Sequence, residues 1–182
     1  MEHPKKSTLV RAYPFYYNQF DVSFDVKPLA GVIYSWGSIF RCALGDSTGK
    51  YGDRVPGVWF YPGTRRLHIC NAVSGNKNYC FNEPRNLDLH HFTNIRITQS
   101  KSSLTGHFLY RVYVQGKLRK AAYNTLPMTF YNVKCFLGDH LNSPAKALVK
   151  NLKIKLSSSG TYNQIYKIQV YKKYQSVLNE CR

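Results

Sequence analysis

YGDRVPGVWFYPGTRRLHICNAVSGNKNYCF, residues Tyr51 to Phe81, decides the fold, because it places strand patterning, tight turns and a candidate disulfide in one short run. Pro56-Gly57 and Pro62-Gly63 are turn dipeptides that bracket the aromatic run Val58 to Tyr61. Leu67 to Cys70 then alternates in polarity until Gly75-Asn76 turns the chain again, so the stretch reads as β structure and not as helix. Cys70 and Cys80 fall on either side of that second turn. Their separation is one that a long hairpin brings into register for an S–S bond.

Upstream, Phe20, Val22, Phe24 and Val26 alternate strictly with Asp21, Ser23, Asp25 and Lys27, the period-two signature of a strand with one wet face. Trp36 to Leu44 reads as a strand whose inward set is Phe40, Cys42 and Leu44. Ile39, on the opposite parity, implies that both of its faces are covered. Downstream, Ile95 with Ile97 and the run Phe108, Tyr110, Val112, Val114 form a hairpin about Ser100 to Gly106, closed by Gly116. Tyr131, Val133, Cys135 and Leu137 make a further strand, and Leu152, Ile154 and Leu156 another. No segment is periodic at 3.6 over three turns, so the expectation is an all-β, antiparallel two-sheet sandwich with little helix. Residues 1–17 read as an extended arm with a mobile tip that ends by pairing with the sheet, 18–156 as the sandwich, and 157–182 as a basic, tyrosine-rich extension. Within that extension, the segment through Tyr166, Ile168 and Val170 fits a strand about as well as a short helix.

At 182 residues the chain is one domain of ordinary size, and 43% hydrophobic content excludes a disordered chain. Twenty-six basic against nine acidic residues give a net charge of +17, which points to an anionic partner without choosing among sulfated glycan, nucleic acid and anionic lipid. The plainer alternative is a basic surface that serves solubility. No apolar run reaches the roughly 20 residues that span a bilayer, and the N-terminus lacks the apolar core of a signal peptide. Five cysteines in a β-rich chain nevertheless suggest an oxidising compartment, so the expectation is an extracellular domain of a longer secreted protein. Cys42 and Cys135 fall on inward strand positions, where they either pair or stand as buried thiols. Cys181 is left over, for an intermolecular link or a bridge to another segment.

The order of FDVSFDVKP (Phe20 to Pro28), WGSIFR (Trp36 to Arg41), YGDRVPGVWFYPGTRRLHIC (Tyr51 to Cys70), FTNIRITQ (Phe92 to Gln99), YRVYVQGK (Tyr110 to Lys117), and FYNVKCFLGDH with PAKALVKNLKI (Phe130 to Ile154) resembles the concanavalin A-like, laminin-G-like jelly roll of multidomain extracellular animal proteins. The resemblance covers about residues 18 to 156. It implies two antiparallel sheets, one concave, with ligands at the concave face or along a rim. Some members hold calcium at a rim, and Asp46, Asp53 and Asp139 are the loop donors available for it here, with Asn76, Asn78 and Asn82 nearby in sequence. The alternative is that these carboxylates make Asx turns and bind nothing.

Hydrolases of this architecture set acid residues at alternate positions of one strand, flanking the scissile bond. That pattern is absent here. The glutamates are Glu2, Glu83 and Glu180, and Asp21 and Asp25 lie roughly 13 Å apart along their strand. No enzyme is expected, and the isolated histidines predict no zinc site. A carbohydrate site needs an accessible aromatic with polar neighbours, and Tyr51, Asp53, Arg54, Trp59, Tyr61, Arg65, Arg66 and Tyr79 are the candidates. Trp59 has the parity opposite to Val58 and Phe60, so it is either a surface ring or is buried under a second layer. Lys150, Lys153 and Lys155 add a candidate basic stripe on a strand, its alternative being a solvated polar face. The function expected is a non-catalytic recognition or adhesion module for a glycan, an anionic one. The runner-up is a structural protein–protein interaction domain. Nucleic-acid binding is a third reading, suited by charge and tyrosines but lacking a recognised module.

Overall fold

The computed structural model describes residues 1–47, 49–158 and the backbone of 164–167. Among the described residues there is no helix, and the strands in chain order are β1 (Leu9–Tyr16), β2 (Gln19–Pro28), β3 (Gly37–Ala43), β4 (Gly57–Phe60), β5 (Leu67–Val73), β6 (Asn76–Asn82), β7 (Thr93–Lys101), β8 (Phe108–Val114), β9 (Lys117–Asn124), β10 (Phe130–Phe136), β11 (Ser143–Pro144), β12 (Ala147–Ser157) and β13 (Gln164–Lys167). They form a seven-stranded sheet, order β1-β10-β3-β4-β5-β6 with β11 beside β3, and a six-stranded sheet, order β13-β12-β2-β7-β8-β9. Apart from the two-residue β11–β3 contact, pairing is antiparallel. This is the two-sheet jelly-roll sandwich that the concanavalin A-like resemblance implies.

The alternation on β2 builds one wall of the core. Phe20, Val22, Phe24 and Val26 are buried with Ile95, Ile97, Val112, Ile154 and Leu156 of the same sheet, and they meet Phe40, Val58, Phe60, Leu67 and Ile69 of the other in one cluster. Removing such a side chain from water contributes about 1.5–3 kcal/mol each, which is what holds two sheets face to face. All seven residues of β3 are buried, so both of its faces are covered. The segment after β10 lies against it, with Gly138 N–H donating to the Ile39 carbonyl and Ala145 N–H to that of Ser38. Leu44, expected inward, lies just past β3 and is 38% exposed.

The two cysteine pairs are both bonded. Cys70 and Cys80 face each other directly across β5 and β6 and form the expected bridge. The hairpin turns at Ser74-Gly75, one residue before the expected place. Both residues have positive φ, 52° and 78°, the backbone that a two-residue loop between twisted strands requires and that glycine adopts without strain. Cys42 and Cys135, for which two readings were open, are opposite in the β3–β10 register and bonded to each other.

The first residues are tied to the sandwich. β1 pairs with β10, Glu2 and Val149 exchange backbone hydrogen bonds of 2.8 Å, and Leu137 N–H donates to the Thr8 carbonyl. The tip expected to be mobile is therefore held by main-chain bonds to two separate segments. Of the C-terminal extension, Gln164–Lys167 is a strand paired with β12, which settles the strand-or-helix question for those four residues. Cys181 lies outside the described residues.

Candidate functional site

Two rows of side chains cross the outer face of the seven-stranded sheet. The register aligns Ser38, Trp59, His68 and Asn82 on β3, β4, β5 and β6. Two residues along β4, β5 and β6, and three along β3 across its bulge, it aligns Arg41, Gly57, Cys70 and Cys80. Because side chains of a strand alternate between faces, both rows point away from the core that Val58, Phe60, Leu67 and Ile69 fill. The Trp59 ring folds back over Gly57, where an added Cβ would stand 2.0 Å from a ring carbon. Glycine is thus the residue that lets the indole lie flat on its own strand.

The lower layer of this face is polar and buried. Trp59 Nε1–H donates to Asp139 Oδ2 at 3.2 Å, and the same oxygen accepts from Ser38 Oγ at 3.0 Å. Asp139 Oδ1 accepts from the backbone N–H groups of Leu141 and Asn142 at 2.9 and 2.8 Å. The Arg41 guanidinium, 1% exposed, donates through Nε to the Asp53 carbonyl at 2.9 Å and through Nη2 to the carbonyls of Gly45 and Ser47. Burial lowers the Arg41 pKa, and the carboxylates of Asp139, Asp53 and Asp46 act against that shift. A buried guanidinium that satisfies three loop carbonyls fixes the loop between β3 and β4 from inside.

Above it lies an aromatic surface. Half-buried Trp36 stands with its ring centroid 4.9 Å from that of Tyr61 and 4.5 Å from that of His68. Arg66 covers Tyr61 at 5.1 Å and Arg54 covers Trp59 at 5.9 Å. His68 Nδ1 bonds Asn82 Oδ1 at 2.6 Å, which fixes the ring's orientation. Burial lowers the His68 pKa, the Asn82 bond raises it, and Arg54 lowers it further, so the imidazole is neutral at pH 7. The result is a surface of three contiguous rings rimmed by two guanidinium groups and an amide.

The structure brings four of the sequence candidates together here: Arg54, Trp59, Tyr61 and Arg66. Asp53 lies beneath, its Oδ2 accepting from Ser47 Oγ and Lys50 N–H at 2.7 Å each. Trp59 is 4% exposed, on the outward parity yet covered. Tyr51 is elsewhere, packed on Phe130 with its hydroxyl donating to the Leu126 carbonyl. Tyr79 has the inward parity and packs edge-on against Tyr110 under Lys120. Arg65 lines a small cavity with Gly31, Phe60 and Lys146. Lys150, Lys153 and Lys155 are on β12 of the other sheet. There Lys155 stands opposite Asp21 and Lys150 opposite Asp25, so the stripe carries its own counter-charges. Of the calcium candidates, Asp46 is exposed at the surface, while the carboxylates of Asp53 and Asp139 are occupied by the donors named above. His68, Cys70 and Cys80 bring a nitrogen and two sulfurs within 4.8 Å, but both sulfurs are spent in the disulfide.

Sequence reasoning did not find Trp36 or His68 as site residues, and it met Asn82 only as a neighbour of the calcium candidates. Parity carried a usable signal: His68 has the outward position between inward Leu67 and Ile69, as Trp59 does between Val58 and Phe60. What parity cannot supply is that these two positions are register partners.

No protein-family model matches the chain, and no curated protein does. Among solved structures it is similar to a native heptameric SAP-like pentraxin from Limulus polyphemus, at 15% identity and TM-score 0.49 over 80% of this chain and 67% of that one. It is also similar to a carbohydrate binding module from Bacillus subtilis, at 10% identity and TM-score 0.45 over 84% and 99% of the two chains. An alginate lyase from Chlorella virus is similar at 13% identity and TM-score 0.43, over 77% and 72%.

Proposed function

We propose that this chain is a non-catalytic extracellular recognition module that binds glycan, and among glycans those bearing sulfate or carboxylate groups, on the outer face of the seven-stranded sheet. The observation that carries the reading is the contiguous surface of Trp36, Tyr61 and His68 with Arg54 and Arg66 at its rim. The apolar C–H face of a sugar ring packs on such rings, while a guanidinium fork offers paired donors to a carboxylate or sulfate. The rings are fixed by contacts among themselves and by the Asn82 bond to His68, so little order has to be created on binding. A net charge of +17 draws a polyanion to the surface. Two disulfides support an oxidising compartment.

The test is equilibrium binding of a sulfated oligosaccharide and of a neutral one to the wild type and to Trp36→Ala. Loss of one aromatic contact of roughly 1.4 kcal/mol weakens the sulfated ligand about tenfold. Unchanged affinity in the variant sinks the proposal. So does retention that follows salt alone and is equal on heparin and on nucleic acid, since that is charge without a site.

A further inference from the structure

The Cys70–Cys80 bridge lies on this same outer face, and His68 stands against it. His68 Nε2 is 2.9 Å from Cys70 Sγ, and on the other side of the ring Nδ1 meets Asn82 Oδ1 at 2.6 Å. An amide oxygen only accepts, so Nδ1 carries the proton of the neutral ring and Nε2 turns its lone pair to the sulfur. The two sulfurs differ in access. Cys70 is 0% exposed, whereas Cys80 is half-buried on the edge strand β6, its Sγ close to the backbone and side-chain oxygens of Asn78 at 3.3 and 3.2 Å. The second bridge, Cys42–Cys135, lies in the apolar core with both residues at 0% exposure.

We propose that Cys70–Cys80 is a thiol-exchange site, in which a small external thiol attacks Cys80 Sγ and Cys70 leaves as a thiolate held by His68. The incoming sulfur forms a new S–S bond to Cys80, the Cys70–Cys80 bond breaks, and its electron pair stays on Cys70 Sγ. The proton of the incoming thiol ends on His68 Nε2, giving an imidazolium–thiolate pair oriented by Asn82. A second external thiol attacks the first at the mixed disulfide and frees Cys80. In sum two thiols are oxidised to one disulfide, and the protein bridge is reduced to a dithiol. A small-molecule disulfide reverses the sequence.

The surroundings of His68 keep the resting ring neutral, a base free to take the proton, and the adjacent Cys70 thiolate is what holds the imidazolium once it forms. Arg54 is the charged group acting on the ring, and Trp36, Trp59 and Tyr61 enclose it. A positive guanidinium favours the thiolate product, and a lower leaving-group pKa speeds departure. Cys70, His68 and Asn82 in the opened form are a thiol, a base within reach of it and an amide that orients the base. The proposal stands on the disulfide and its neighbours and does not depend on glycan binding.

The experiment exposes the full chain to reduced glutathione at pH 7 and follows both bridges by peptide mass mapping, in the wild type, His68→Gln and Asn82→Ala. The expected result is glutathione on Cys80 and not on Cys70. Opening in the wild type is at least about tenfold faster than in His68→Gln, with Asn82→Ala slowed in the same direction. Alkylation of the freed Cys70 titrates below the ordinary thiol value of about 8.5 in the wild type and returns to it in His68→Gln. An intact Cys42–Cys135 bridge and an unchanged far-ultraviolet spectrum certify the variants as folded. Equal opening rates and equal alkylation midpoints in all three proteins overturn the proposal, as does an adduct on Cys70.

Discussion

The outer faces of the two sheets solve the same problem differently. On the six-stranded sheet, Arg96 makes two bonds to Asp21, at 3.0 and 2.8 Å, and Asp25 accepts from Asn94 and Asn151 at 2.7 and 2.6 Å. Lys150 and Lys27 both lie over the ring of Phe92. Charges there are matched to neighbours one strand away, with the Arg96 head half exposed and Asp21 buried beneath it, and the face is closed on itself. On the seven-stranded sheet the polar groups are sunk beneath aromatic rings: Arg41 and Asp139 satisfy carbonyls and an indole, and Trp36, Tyr61 and His68 form the upper layer. One face uses its alternating positions for solubility, the other for a second small interior. Groups in that second interior are desolvated, so removing one partner there costs more than removing one in water.

The largest expected effect tests the packing of the second interior. Gly57→Val drives a branched side chain into the Trp59 ring and should lower unfolding free energy by about 3 kcal/mol, with loss of the tryptophan near-ultraviolet signal. A melt like that of the wild type would show that the indole has another place to lie. Next comes the contrast in buried and solvated arginines. Arg41→Met strands three loop carbonyls and should cost about 2–3 kcal/mol in denaturant melts, whereas Arg96→Met on the other face should cost about 1 kcal/mol, because the Arg96 head is half exposed and Lys155 stands opposite Asp21. Equal costs would erase the distinction between the faces.

A third comparison reads binding. Arg54→Glu with Arg66→Glu and Lys153→Glu with Lys155→Glu change net charge equally, so a long-range field weakens a sulfated ligand alike in both. The arginine pair should lose about tenfold more, and equal losses would reduce the rim to a share of the field. The smallest effect is in pH. His68 has a folded pKa below its ordinary 6.5, so the unfolded chain takes up the proton first as pH falls. The neutral ring's contribution is whole above pH 6.5 and declines as pH drops from there through the folded value. Melting temperatures of wild type minus His68→Gln should therefore shrink below pH 6.5, and a difference that is flat from pH 8 to 5 would contradict the buried, neutral ring.

The same contrast explains what the sequence discloses. β2 was legible because its Ser23, Asp25 and Lys27 reach water and Asp21 reaches an arginine, Arg96, so the polar residues keep to one face and make the period of two visible in composition. β3 was half legible: both of its faces are covered as expected, but a bulge puts Ile39 with Phe40 in the core, and the outer side, marked by Ser38, is covered by Asp139 of the segment after β10, about a hundred residues on. β9 escaped notice because this edge strand, Lys117–Asn124, is exposed on most of its residues, and its half-buried positions fall on Lys120 and Ala122, which are too polar or too small to mark a period in the sequence. Within the site, Trp59, Tyr61, Arg54 and Arg66 share one short stretch and could be grouped by adjacency. His68 and Asn82 join them through strand register, and Trp36 from the residue just before β3, both of them long-range facts. Tyr51 and Tyr79 illustrate the converse, since nearness in sequence did not bring them to the surface of Trp36, Tyr61 and His68.

The bridge between Cys42 and Cys135 spans 93 residues and encloses the shorter Cys70–Cys80 loop. Pulled from its two ends, the oxidised chain can pay out only what lies outside that ring, while roughly 300 Å of contour between the two cysteines stays locked. Tension applied to the domain therefore passes from β3 to β10 through a covalent bond and never reaches β4, β5 or β6. Under load, Tyr61 and His68 are passengers, while Trp36, which precedes Cys42, lies on the segment that is pulled.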